Sequence, residues 1–417
     1  MSTIHIAGGG LAGLAAAVFA SKEKARVVLY EAAGQAGGRC RSYADPTLEC
    51  TIDNGNHLVL SGNPAVHEYL RLTGARDALA GPRHAEFAFA DIATGARWTV
   101  RPDDGPLPWW IFDAARRVPD TTPLDYLSIG ALLLAGKSRR IGEVMACRGP
   151  LWERLLRPLL LAALNTEPKD ASAGLAGAVL RETLMKGGRA YAPRIAKPTL
   201  AAAFVEPALA FLAAQEGAMV HLGQRLRRIV FEDDLAVALE FPESTVNLAR
   251  EDTVVLAVPP SVASDLVPGL KVPTEFRAIV NTHFKLAPPE GTPAMLGVIG
   301  GTAEWIFAFE DRISVTVSAA DAIVDKDREA LAWMLWDDVA RALGIDTARP
   351  RWQIVKEKRA TFAATPEQAA RRPGCATRWR NLLLAGDWTD TGLPATIESA
   401  LRSGQTAARL ACGRTVT

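Results

Sequence analysis

Residues 3–13 read Thr-Ile-His-Ile-Ala-Gly-Gly-Gly-Leu-Ala-Gly, and residues 26–31 read Arg-Val-Val-Leu-Tyr-Glu. The apolar run at 3–7 predicts a strand, the Ala-rich stretch 11–22 a helix, and 26–30 a second β-branched strand. Strand, glycine turn, helix and strand in this order form the βαβ unit of a parallel sheet. Gly8-x-Gly10-x-x-Gly13 fills the turn. The first glycine permits the tight bend, the second lets backbone approach a pyrophosphate, and the third lets helix and strand pack closely. The helix N-terminus offers free N–H groups and the positive end of its dipole to phosphate. Glu31 ends the second strand, where its carboxylate can accept from ribose hydroxyls. Such a turn can also be merely structural, but the flanking strands and Glu31 favour a dinucleotide site.

Two further segments point the same way. Gly34-Gln-Ala-Gly37-Gly38-Arg39 places a glycine pair and a guanidinium just after Glu31, suited to a loop pressed against a pyrophosphate. Near the other end, Leu382-Leu-Leu-Ala385-Gly386-Asp387-Trp388 reads as a strand ending in Gly-Asp before a helix at about 395–411. That puts a carboxylate at the carboxyl edge of the sheet. Another strand is expected at 253–258. The intervening stretches differ: 63–190 carries helical segments (65–72, 151–164), whereas 276–286, 305–309 and 313–318 alternate like strands and 328–343 reads as helix. The expected class is α/β, with one discontinuous domain (1–62, 191–270, 372–417) and a second, α+β domain inserted in two pieces (63–190, 271–371).

Composition narrows the function. The 417 residues are 49% hydrophobic and 22% charged, and Lys+Arg 47 against Asp+Glu 46 leaves a net charge of +1. That balance gives no general attraction for nucleic acid. Five scattered cysteines without CxxC spacing argue against a disulfide framework and for a reducing compartment. No signal peptide is read at the N-terminus, and the apolar stretch 127–136 is about half the ~20 residues a membrane span needs. Histidines show no ligand-like pairing, so no metal site is expected.

The glycine fingerprint, the Gly-Gly-Arg loop and the C-terminal Gly-Asp motif resemble the FAD-dependent amine oxidases and phytoene desaturases, whose FAD domain is of the glutathione-reductase type. The resemblance implies a Rossmann-like FAD-binding domain, an inserted substrate domain and FAD held non-covalently. It implies that Gly8, Gly10, Leu11, Ala12, Gly13, Glu31, Gly37, Gly38 and Arg39 surround the AMP and pyrophosphate, and that Gly386 and Asp387 meet the ribityl and pyrophosphate groups. Gly55, Asn56 and His57 would pass close to the isoalloxazine. Leu226 and Val258 would lie by the adenine, and the helix beginning at Thr396-Ile397 would aim at the pyrimidine ring.

The interior segments Asp53-Asn-Gly-Asn-His57-Leu, Leu164-Asn-Thr-Glu-Pro168, 295–302, 357–366 and 385–398 are similar to the hydroxysqualene dehydroxylase family of hopanoid biosynthesis. This implies reductive removal of an allylic hydroxyl from a C30 polyene to give squalene. Alternatives on the same fold are a carotenoid-type desaturase, an amine oxidase, or a non-catalytic flavin or lipid carrier. No motif assigns a lysine to face the flavin, which argues against amine oxidation. His57 is either the proton donor or a structural histidine. Asp53 is a second candidate, though more suited to bracing its turn, and His283 and Glu304 read as satisfied or surface residues. The electron donor is NAD(P)H or a partner reductase. Leu107-Pro-Trp109-Trp110-Ile111-Phe112 with Arg116-Arg117, extended by Leu124 to Leu134 into a membrane-facing segment near 105–140, suits either a lipid surface or a domain interface. The expected location is the cytoplasm, peripheral on the inner face of the cytoplasmic membrane.

Overall fold

The computed structural model describes residues 2–413. Its organising element is a five-stranded, wholly parallel sheet in the order Ala218–His221, Arg26–Tyr30, Thr3–Ala7, Thr253–Leu256, Leu382–Leu384. The central strand is buried along its whole length, as expected of a parallel strand covered on both faces. Helix Leu11–Lys22 is buried from Leu11 to Ser21 and so lacks a polar face. It packs against the C-terminal helix Ile397–Ala411 at Gly404, where a Cβ would overlap the Ala12 carbonyl. A three-stranded antiparallel meander (Arg228–Glu232, Leu235–Glu240, Thr245–Asn247) lies in the chain before strand Thr253–Leu256.

A second, seven-stranded mixed sheet runs Trp352–Phe362, Phe276–Phe284, Ile313–Val317, Trp305–Ala308, Met295–Ile299, Phe87–Asp91, Arg97–Val100. Helix Arg328–Leu343 closes one face: Leu331, Leu335, Trp336 and Val339 form one core with Val280, Phe284, Ile313 and Val315. Asp327 caps the helix by accepting from the Ala330 amide, and Gly344 ends it in the left-handed region. Alternate residues of the same strands, among them Phe89, Met295, Trp305 and Phe307, join a different core with Trp110, Leu155 and Leu160. The period of two in the strands therefore sorts the sheet into two separate apolar faces.

The expected strands and helices are present with shifts of a few residues, save that 151–164 is not one regular helix. Trp152–Leu156 is a π-turn followed by helix Arg157–Leu164. Pro158 has no N–H to bond the carbonyl of residue 154, so the ladder widens there. Pro207 follows the π-turn Ala201–Val205 for the same reason. The 11-residue strand Trp352–Phe362 was hidden by its charged Lys356-Glu-Lys-Arg core, and the ladder with Phe276–Phe284 determines it.

Candidate flavin site

All the glycine motifs meet at the carboxyl edge of the parallel sheet. Gly8 follows strand Thr3–Ala7 with φ +109°, and a Cβ there would overlap the carbonyl of Ala257, at the end of the neighbouring strand. A Cβ on Gly13 would run into the Gly8 carbonyl, whereas one on Gly10 meets nothing within 4 Å. Gly10 therefore faces open space at the start of the helix, where a ligand can approach backbone; Leu11 and Ala12, the first helical residues, turn into the core. The second glycine loop docks on the first: the Gly37 amide donates to Gly9 O at 2.8 Å, and Gly38 (φ +55°) faces Gly10. Glu31 accepts from the Gly9 amide at 2.6 Å and the Ala33 amide at 2.8 Å, one on each oxygen. Each carboxylate oxygen keeps a second lone pair for a ribose hydroxyl.

The C-terminal loop closes the site. Gly386 takes φ +154°, where a Cβ would strike the Trp388 indole. That indole donates to Val258 O at 2.9 Å. The Gly386 amide donates to Ser403 Oγ at 2.8 Å, so the loop is tied to the helix behind it. Arg39 then joins three segments: it donates to Asp387 at 2.8 Å and to the Ala360 carbonyl of the long strand. Asp387 is buried, while about half of the Arg39 side chain remains accessible, so part of a guanidinium is free for a ligand. Thr396 caps helix Ile397–Ala411 by accepting from Ser399 N at 3.1 Å, leaving Ile397 and Glu398 as the first amides of the helix. The Glu398 carboxylate accepts from Ala65 N and Val66 N and anchors helix Pro64–Leu72. Leu226 is buried in the same core as Tyr30 and Phe241.

The segment 53–57 links the two sheets. Asp53 accepts from Ser42 Oγ at 2.6 Å and Leu200 N at 2.9 Å, and burial raises its pKa against those bonds. Gly55 lies against the Asn281 amide of the seven-stranded sheet. Asn56 donates to Thr316 Oγ1 at 3.1 Å, and Thr316 donates to Asn281 at 2.8 Å. Asn56 Oδ1 is buried without a partner. His57 makes no hydrogen bond to the described residues and lies near Arg39 and Asp387. Burial and, secondarily, Arg39 push its pKa down to about 4 against the pull of Asp387, so the ring is neutral at physiological pH.

Of the other candidates, His283 is fully buried, bonded to Ser314 Oγ at 2.7 Å, and pushed by burial to about 4. Glu304 precedes strand Trp305–Ala308 and accepts from Ser318 N at 2.7 Å; burial raises its pKa to about 7. Neither is a surface residue. Arg372, absent from the sequence reading, is buried and donates to Asp387 O at 3.3 Å and to Thr389 O, bracing the Gly-Asp loop. No motif announces it. The segment 107–112 divides: Trp110 and Ile111 enter the core, while Trp109 (65% exposed) and Phe112 (64%) point outward. Arg116 is engaged by Asp103, and Arg117 by the carbonyls of Thr121 and Ile111, so both serve local structure. Among the described residues no three His, Cys, Asp or Glu side chains are grouped as metal ligands, and no helix is long and apolar enough to cross a membrane.

A glycine-rich turn with an open backbone approach at Gly10, a half-accessible Arg39 side chain and a helix N-terminus fit an extended dinucleotide diphosphate carrying a ring system. Comparison with known proteins agrees. Residues 11–412 match the family described as flavin containing amine oxidoreductase. The chain is 54% identical to a hydroxysqualene dehydroxylase of Rhodopseudomonas palustris over 99% of both chains. It is 51% identical to a hydroxysqualene dehydroxylase of Sinorhizobium fredii, again over 99% of each. Cyclohexylamine oxidase from Brevibacterium oxydans superposes with a TM-score of 0.73 at 13% identity over 99% of both chains, a likeness of fold.

Proposed function

The chain belongs to the flavin containing amine oxidoreductases, FAD-dependent oxidoreductases, and we propose that within this family it reductively removes the allylic hydroxyl of hydroxysqualene to give squalene. The observation that carries the reading is full-length identity above half to the two hydroxysqualene dehydroxylases. FAD, when bound, supplies the two-electron chemistry. In this reading it is held non-covalently, in the part of the chain built on the parallel sheet, while the seven-stranded sheet and its helices receive the substrate.

The residues then divide the work by their chemistry. Gly8, Gly10, Gly13, Gly37 and Gly38 bring backbone up to the pyrophosphate, Arg39 offsets its charge, and Glu31 accepts from the ribose. Gly386 and Asp387 meet the ribityl chain, Leu226 and Val258 flank the adenine, and the helix starting at Thr396-Ile397 stabilises negative charge on the pyrimidine. Gly55, Asn56 and His57 line the ring. A neutral His57 orients a hydroxyl by hydrogen bonding and has no spare proton to give it at pH 7. Asp53, held by Ser42 and Leu200, keeps that segment in place. Phe89, Met295, Trp305 and Phe307 belong to the buried apolar core of this half, and in this reading that apolar interior keeps out water, which would otherwise capture a developing allylic cation.

A substrate with one hydroxyl on a C30 chain resides in lipid. Leu107, Trp109, Phe112, Leu124, Leu127 and Leu134 are all well exposed, and Trp110 packs edge-on against Tyr126 to bring the two turns together. We assign this surface to peripheral contact with a bilayer on its cytoplasmic side. The function is tested by mixing photoreduced holoenzyme with hydroxysqualene without oxygen. Flavin reoxidation with stoichiometric squalene is expected. A flavin that stays reduced beside intact hydroxysqualene would sink the reading and favour the oxidative alternatives.

A further inference from the structure

Beside the Gly-Gly-Arg loop lies an open surface depression of about 510 Å³ whose chemistry is opposite to that of a polyene site. Gln35, Arg41, Tyr43 and Asn54 line it, and none of their side chains makes a hydrogen bond or ion pair with the described residues. Asn54 is only 6% exposed. Gln35 and Arg41 are exposed and Tyr43 partly so, and their polar ends are free to meet a ligand that enters from solvent and reaches Asn54 at the base.

The depression is also cationic and preset. Lys356 donates to Lys326 O at 2.6 Å, and Arg328 is fixed by Gln353 and by Ile354 O at 3.0 Å. Gln353 is held in turn by Asp45 at 2.7 Å. Among the lining residues Arg41, Arg328 and Lys356 outnumber one carboxylate, Glu357, with the buried Asp45 beside Tyr43 and Gln353, and Arg41 and Arg328 both lie close to Tyr43. These groups match a polar anion with an aromatic base: cations for phosphates, amides for ribose hydroxyls, a phenol for stacking. The depression lies beside the candidate flavin site. Asn54 directly precedes Gly55, Arg41 follows the loop carrying Arg39, and Glu357 is close enough to act on Arg39.

We propose that this depression docks a reduced nicotinamide dinucleotide, with Arg41 and Lys356 on its phosphates and Tyr43 against a base. The inference rests on the reductive reading above. Converting an allylic alcohol to the hydrocarbon and water consumes two electrons and two protons. A dihydronicotinamide provides a hydride, the second proton comes from solvent, and the oxidised nicotinamide departs.

The test is binding of NADPH and NADH to FAD-loaded protein by calorimetry, beside anaerobic flavin reduction by the same nucleotides. Saturable binding that weakens with salt is expected, with Kd raised about tenfold in Arg41→Gln and again in Lys356→Gln, the loss of one charged hydrogen bond each. Flavin content, and hydroxysqualene turnover by photoreduced enzyme, stay unchanged in both variants. Absent binding, binding indifferent to both substitutions, pyrophosphate binding as tightly as the dinucleotide, or reduction by a protein reductase alone would each overturn the proposal. Nucleotide binding in an enzyme whose photoreduced form leaves hydroxysqualene intact would uphold the docking site and overturn the functional reading instead.

Discussion

The Arg39 guanidinium donates to the Asp387 carboxylate at 2.8 Å across 348 positions of sequence, and so ties the two ends of the chain together at the candidate flavin site. Arg39→Ala leaves a buried carboxylate unpaired. The folded chain should lose about 1–2 kcal/mol, less than a fully buried pair because half of the Arg39 side chain is accessible. FAD affinity should fall about tenfold or more, the pyrophosphate having lost a charged donor. The ratio of flavin to protein absorbance after gel filtration measures this; full retention of FAD would remove Arg39 from the cofactor site.

The fingerprint glycines should separate by cause. Gly13→Ala places a methyl on the Gly8 carbonyl and should cost about 1–3 kcal/mol of stability as well as flavin. Gly10→Ala meets no protein atom, so the apoprotein should melt as the parent does while FAD binding drops. Thermal unfolding with and without FAD distinguishes them. Equal loss of stability in both would mean that Gly10 serves the fold and not the ligand.

Two desolvated histidines, the partly buried His57 and the buried His283, set an acid limit. His57 and His283 have folded pKa values near 4 against 6.5 when unfolded. Between those values the unfolded chain binds more protons, so stability falls as pH drops from 6.5 to 4 and is unaffected by these rings above 6.5. His283→Gln, measured by urea unfolding across this range, should flatten the slope. An unchanged slope would place the acid sensitivity elsewhere.

Glu304 acts in the opposite direction. Its folded pKa near 7 exceeds the usual 4.5, so the folded chain holds the extra proton between those values. Stability therefore declines as pH rises from 4.5 to 7, and Glu304→Gln should abolish that decline. Paired unfolding curves at pH 5 and 8 provide the check.

The segment 109–112 allows its two faces to be tested independently. Trp109→Ser with Phe112→Ser removes exposed rings and should reduce co-sedimentation with anionic liposomes while the melting temperature holds. Trp110→Ser empties a core position and should cost about 3–5 kcal/mol. Undiminished sedimentation in the first variant would exclude this surface as the lipid contact.

The geometry of the candidate cofactor site is legible along the chain where its constraints are local. Gly8, Gly37 and Gly38 adopt positive φ, Gly13 tolerates no Cβ, and Glu31 directly follows its strand; each leaves a mark on residue type at fixed spacing. Arg372 left no such mark. Its carbonyl partners, Asp387 and Thr389, are backbone groups that any residue could present. The polar clamp of Asn56, Asn281 and Thr316 is similarly silent, since its members come from three strands or turns far apart in sequence.

The amino-acid sequence by itself determined the parallel sheet, the dinucleotide turn and the family, because short-range sterics and strand periodicity act within about thirty residues. Tertiary structure alone decided which of two adjacent tryptophans enters the core, where Trp110 finds Tyr126 and Trp109 finds solvent. It alone lowered the His57 pKa, because desolvation depends on everything folded around the ring. It alone gathered Gln35, Arg41, Asn54 and Lys356 around one depression, since a strand at 352–362 reaches a loop at 35–41 only once both sheets have formed.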